Sequence, residues 1–175
     1  MQYDSLGDSG IQVSKICLGT MTWGEQNNEQ DAFAQMDYAL DRGVNFWDTA
    51  EMYPMPPRAE TQGATERYIG NWFARNGRRD EVVLASKVTG RSDRSWVRDG
   101  RETRLNREQI REALEGSLRR LQTDYVDLYQ VHWPDRRLGL WGEGHGSFVY
   151  KNNRDEVPIA ETLAALAELV REGKV

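Results

Sequence analysis

Tyr125-Val126-Asp127-Leu128-Tyr129-Gln130-Val131 has few polar interruptions, which predicts a β-strand covered on both faces. Helical patterns lie on either side of it. Upstream, Asn106 with Gln109 three residues later reads as an Asn version of the capping box. Ile110, Ala113, Leu114, Leu118 and Leu121 then supply a helix's apolar face. Downstream, after a long connection, Leu163, Leu166 and Val170 recur at helical spacing. The same alternation repeats toward the N-terminus. A strand is expected at 82–86. Another is expected at 44–47, followed by a long loop and a helix that holds Ile69, Trp72 and Phe73 and stops at Gly77. A first strand at 15–18 precedes a helix carrying Phe33, Met36 and Leu40, which ends at Gly43.

Four strand-helix units predict an α/β fold with a parallel sheet and right-handed crossovers, leaving a doubly wound sheet or a barrel open. Residues 1–14 stand outside the repeat. Gly7-Asp8-Ser9-Gly10 separates Tyr3 and Leu6 from Ile11 and Val13, the pattern of a short hairpin. The stretch Arg171-Glu172-Gly173-Lys174-Val175 reads as a helix end, a glycine stop and the start of another strand. A closed barrel of eight strands needs roughly 250 residues, so 175 residues would supply about half of one. The expected organisation is therefore a single partial domain over 1–175, with the hairpin at 1–14 and the four units at 15–175.

A composition of 38% hydrophobic and 29% charged residues is that of a globular chain. The formal charge is −5, and no stripe of Lys or Arg follows a phosphate backbone, so nucleic acid is not an expected partner. No apolar run approaches the ~18 residues of a membrane span, and the opening residues lack a secretory pattern. A cytoplasmic protein without membrane association is expected. Cys17 is the sole cysteine, which excludes an internal disulfide and a thiolate cluster. Its neighbours Ile16 and Leu18 predict a buried core thiol. No paired-Cys or His-x-x-x-His spacing suggests a metal, and no Gly-x-Gly-x-x-Gly fingerprint suggests a Rossmann domain.

Parallel β/α folds place their chemistry at the C-terminal ends of strands. Asp48, Lys87 and His132 follow the second, third and fourth predicted strands, and Tyr53 lies five residues past Asp48. Singly, each has a structural reading: an acid bonding loop amides, a surface ion pair, a histidine packing a turn, a tyrosine anchoring a loop. Together they are a carboxylate, an ammonium, an imidazole and a phenol, a set able to perform general-acid catalysis on a carbonyl. A nearby ammonium favours the ionised phenol and so makes it a better proton donor. Asp48 would hold Lys87, and His132 would hydrogen-bond the substrate oxygen as charge develops on it. No side chain delivers hydride, so the scheme requires a nicotinamide cofactor.

At these residues the chain resembles the aldo/keto reductase family, and within it the bacterial Tas-like branch. The matching stretches run over 18–25 (LGTMTWGE), 48–54 (DTAEMYP), 85–88 (ASKV) and 124–134 (DYVDLYQVHWP). The resemblance implies a (β/α)8 TIM barrel that reduces small-molecule aldehydes or ketones with NADPH, NADH remaining open. The family's Asp, Tyr, Lys and His fall on Asp48, Tyr53, Lys87 and His132. Gly19, Thr20 and Met21 correspond to the loop that approaches the cofactor, and equally form a tight turn after a strand. In the family most cofactor contacts come from the second half of the barrel, so the chain is expected to be the N-terminal half. Trp23, Trp96, Trp133 and Trp141 follow strand ends. Trp23 and Trp133 in particular are expected to line a substrate pocket suited to bulky or aromatic carbonyls. The connections 89–105 and 134–157 exceed the usual ~4–6 residues, as lids or binding loops do. The competing expectation is a non-catalytic binding or regulatory protein on a partial barrel. Either form would associate with itself through its open sheet edges.

Overall fold

A computed structural model describes residues 1–136 and 155–175. The chain opens with an antiparallel hairpin of β1 (Tyr3–Ser5) and β2 (Gln12–Ser14), in which Asp4 pairs with Val13. A parallel sheet follows, made of β3 (Cys17–Gly19), β4 (Phe46–Asp48), β5 (Val83–Val88) and β6 (Leu128–Val131) in that spatial order. The helices are α1 (Glu29–Asp41), α2 (Ala64–Asn76), α3 (Arg107–Leu121) and α4 (Ile159–Arg171). Each helix packs on the next along the chain. A doubly wound sheet reverses its strand order at a switch point; here the order is sequential and the helices form one layer. That is the arc of a barrel wall.

Local chemistry sets the helix ends. Asn28 caps α1 and accepts from the Asp31 amide at 2.9 Å, while the Asp31 carboxylate accepts from the Asn28 amide at 3.1 Å, a full reciprocal box. The box expected at α3 is only half formed. Asn106 accepts from the Gln109 amide at 2.9 Å, but the Gln109 side chain turns away, donating to Glu102 O and accepting from the Arg104 amide. It serves the preceding connection instead. The α2 helix ends at Gly77, whose left-handed φ of 63° lets its amide close back on Phe73 O.

One layer of core separates the sheet from the helices, built on Trp47, Trp72, Phe73, Leu84, Ile110 and Leu114. Trp47 meets Trp72 edge-on at 5.1 Å between ring centroids and stacks on Phe73 at 6.1 Å. The α2–α3 crossing depends on Gly70, where a Cβ would sit 2.2 Å from Arg120 O. On α4 the buried stripe is Thr162, Ala165 and Leu169, while Leu163 and Val170 are 59% and 54% exposed. The expected apolar face of this helix is therefore corrected. Small residues settle α4 on α3, and only Leu166 of the expected trio packs against the core.

Strand alternation gives the sheet two different faces. Trp47, Leu84, Ser86 and Tyr129 point into the helix-side core and are buried. Their alternates Phe46, Asp48, Lys87, Leu128 and Gln130 are partly exposed on the other, inner face. Among the described residues no helix is long and apolar enough to cross a membrane.

Candidate active site

The inner face becomes polar at the C-terminal strand ends. Past β4 the backbone keeps climbing along β5: the Thr49 amide donates to Ala85 O at 2.9 Å, and the Glu51 amide to Lys87 O at 3.3 Å. The chain then turns, with the Tyr53 amide bonded to Ala50 O and the Gly63 amide to Tyr53 O. This turn delivers the Tyr53 phenol to Lys87. The three ammonium hydrogens of Lys87 have three acceptors: Asp48 Oδ2 at 2.6 Å, Thr49 O at 2.8 Å and the Tyr53 hydroxyl at 3.4 Å. Lys87 is mostly withdrawn from water, so this ion pair is screened less than a surface one.

His132 enters from the end of β6, its amide donating to Val88 O at 3.0 Å. Its ring stands edge-on to Tyr53, centroids 5.6 Å apart, and is tilted against Trp133 at 4.9 Å. Burial, with the Lys87 charge adding to it, pushes the imidazole down to about 4. It is uncharged at neutral pH. His132 Nδ1 is buried and, among the described residues, without a hydrogen-bond partner. Thus Asp48, Tyr53, Lys87 and His132, separated by up to 84 positions in sequence, converge on one opening.

The other expected site residues divide. Gly19 is exposed beside Asp48, with open space where a side chain would stand, and Met21 is exposed next to it. Thr20 is turned inward and fully buried; its hydroxyl and amide both donate to Asp48 O, at 2.8 and 3.2 Å. Its side chain fastens the loop to β4 and does not face the opening. Trp23 is also corrected: at 0% exposure it belongs to the core, and its indole N–H donates to Gln35 Oε1 at 2.9 Å. The loop after β3 folds back beneath α1 and α2, which carries Trp23 away from any mouth. Trp133 does stand at the opening, packed on Ala50, Met52 and Tyr53, with its indole N–H held by Arg91 O at 2.8 Å. Trp96 is exposed on the 89–105 connection, while Trp141 and His145 lie outside the described residues. Cys17 is exposed on the inner face, contrary to its expected burial. The protein around the thiol and the Asp48 carboxylate raise it to about 11, so it stays protonated at neutral pH.

Gln130 is a site residue that sequence reasoning missed. It pairs with Lys87 in register and donates from Nε2 to Asp48 Oδ1 at 3.2 Å. Counting back two positions from His132 along an alternating strand would have found it.

A family model described as "Aldo/keto reductase family" matches residues 15–175. The chain belongs to the aldo/keto reductase family. This family member is 50% identical over 175 residues to "Protein tas" of Escherichia coli (strain K12), covering 100% of this chain and 50% of that protein. It is 36% identical over 180 residues to "Aldo-keto reductase YhdN" of Bacillus subtilis (strain 168), covering 100% of this chain and 45% of that one. A crystal structure of a thermostable aldo-keto reductase bound to the inhibitor epalrestat superposes with a TM-score of 0.69 at 31% identity, over 99% of this chain and 51% of the other. The chain spans about half the length of the curated relatives it matches. Of the two architectures left open by the strand pattern, the barrel is the right one, and this aldo/keto reductase family chain contains half of it.

Proposed function

We propose that this chain carries the proton-transfer machinery of an NADPH-dependent reductase of small aldehydes and ketones, with Tyr53 as the general acid. The observation that carries the reading is the single ammonium of Lys87 reaching Asp48, Thr49 O and the Tyr53 hydroxyl together. A carbonyl oxygen placed in the opening would meet the Tyr53 hydroxyl on one side and the neutral His132 ring on the other. Tyr53 gives up its proton as charge builds on that oxygen, and the Lys87 ammonium stabilises the phenolate left behind. Asp48 anchors the ammonium and offsets its charge, and Gln130 steadies Asp48. His132, uncharged, donates a hydrogen bond to the oxygen without competing as an acid. Trp133 supplies an apolar wall beside the reacting group, which suits a carbonyl carrying a bulky or aromatic substituent.

The residues present fit a nicotinamide. Gly19, without a side chain, leaves open space beside Asp48, and a flat ring could lie against Gly19 and Met21. When bound there, the nicotinamide supplies the hydride. The meeting of a phenol, an ammonium, a carboxylate and a neutral imidazole at one place favours the reductase over a regulatory barrel.

Carbonyl-dependent oxidation of NADPH, compared with NADH, tests the reading in purified protein. Tyr53→Phe keeps the ring and removes the proton, and is expected to lower kcat by about 10²–10⁴-fold, the usual contribution of a general acid. Full activity in Tyr53→Phe would overturn the assignment.

A further inference from the structure

Beside the opening lies a buried charge pair that the proposed chemistry does not use. Glu51 and Arg98 are 1% and 2% exposed. Arg98 donates from its two terminal nitrogens to the two oxygens of Glu51, at 2.7 and 2.8 Å. The Thr89 amide donates to Glu51 Oε1 at 2.6 Å. Glu51 is two residues before Tyr53, and Thr89 is two residues after Lys87. The backbone of Glu51 is engaged as well, its amide donating to Lys87 O and its carbonyl accepting from Gln62 Nε2 at 2.5 Å. One residue therefore joins the turn that presents the phenol to the strand end that presents the ammonium. Arg98 reaches it from a 3-10 turn, Ser95–Arg98, inside the 89–105 connection. That connection is itself braced, with Thr103 Oγ1 donating to Gly90 O at 2.6 Å.

Stability alone is a weak reason for such a pair. Withdrawing two charges from water costs several kcal/mol per ion, and apolar replacements of both partners are often neutral or stabilising. What a forked, two-point Arg-carboxylate contact adds is direction.

We propose that Glu51 and Arg98 are positioning residues, which hold the Tyr53 turn against the end of β5 and so set the approach of the phenol to Lys87 and His132. The inference rests on the proposed role of Tyr53, and it makes the 89–105 connection a structural support of the active site as well as a flanking loop. Neither residue touches the reacting atoms; both act through the backbone of 49–53.

The double variant Glu51→Gln/Arg98→Met removes both charges at similar volume and keeps an acceptor for the Thr89 amide, and its melting temperature and circular dichroism establish that it folds. Two readouts follow. The first is the nuclear Overhauser contact between the His132 and Tyr53 rings, measured without cofactor or substrate, which should weaken or vanish. The second is kcat for carbonyl reduction, expected to fall about 10²-fold with KM little changed, as for a displaced reacting group. A folded double variant that keeps the ring contact and the parent kcat overturns the proposal. If the double variant does not fold, Arg98→Lys, which keeps the charge but not the fork, is read by the same two measurements, and parent-like values in both again overturn it. Absence of reductase activity in the parent protein would sink the functional reading, while the ring contact would still decide the positioning role.

Discussion

His132 links the chemistry of the site to the stability of the chain. Its imidazole is held down at about 4, against an ordinary 6.5, by burial and by Lys87. The folded chain therefore prefers the neutral ring, and the unfolded chain takes up the proton first as pH falls. The stabilisation is fully present above about 6.5 and is lost as pH drops toward 4. Denaturant midpoints measured between pH 7 and 4 should fall in the parent, and fall less steeply in His132→Gln. Parallel profiles would show that His132 is not a buried neutral base. At this scale the sequence was informative about place: it put Asp48, Lys87 and His132 at strand ends, and the structure brings them together there with Tyr53. It was silent on Glu51 and Arg98, because two charged residues 47 positions apart look like solvated surface until the fold buries them together. It misled on Cys17 and Trp23, since apolar neighbours and a place after a strand do not reveal which face a side chain meets.

At the scale of elements, the junction between β5 and β6 explains how His132 is placed. Gly90 lies under Trp133, and a Cβ there would stand 2.0 Å from Trp133 O, a backbone atom without a rotamer to escape through. Gly90→Ala must lift the 132–133 segment, which is tied to β5 by the His132 amide and to the 89–105 connection by the Trp133 indole. A loss of about 1–3 kcal/mol in unfolding free energy is expected, the usual cost of overpacking. Carbonyl reduction should suffer beyond the loss of folded protein, because His132 moves with Trp133. Parent-like activity per folded molecule would mean that the segment has slack. The strands and helices were legible from apolar period and glycine stops, yet their ends shifted where side chains captured the backbone. Asp127, for instance, was read as strand; its carboxylate accepts from the Leu84 amide and pairs with Arg79, so the ladder of β6 begins at Leu128. On α4 the pattern was right for a helix and wrong for its buried face, because that helix is apolar on more than one side.

The whole molecule makes that surplus apolar surface consequential. Among the described residues β3 and β6 each have one strand neighbour, so both edges of the parallel sheet carry unpaired backbone groups. The exposed outer side of α4 presents Ile159, Leu163 and Val170, and the inner face of the sheet presents partly exposed Phe46 and Leu128. An open edge and an apolar patch are each a template for association. The 175-residue chain, in isolation, is therefore expected to self-associate, with a sedimentation coefficient that rises with concentration. Leu163→Glu combined with Val170→Lys places opposite charges on the α4 patch without touching its buried stripe of Thr162, Ala165 and Leu169. This pair should shift the equilibrium toward monomer while leaving the near-ultraviolet signal of the Trp47–Trp72–Phe73 cluster unchanged. A cooperative monomer at all concentrations would show that the two edges and the patch are protected within the chain itself. A double variant as associated as the parent would move the contact from α4 to the sheet edges, where β3 and β6 of different molecules could pair.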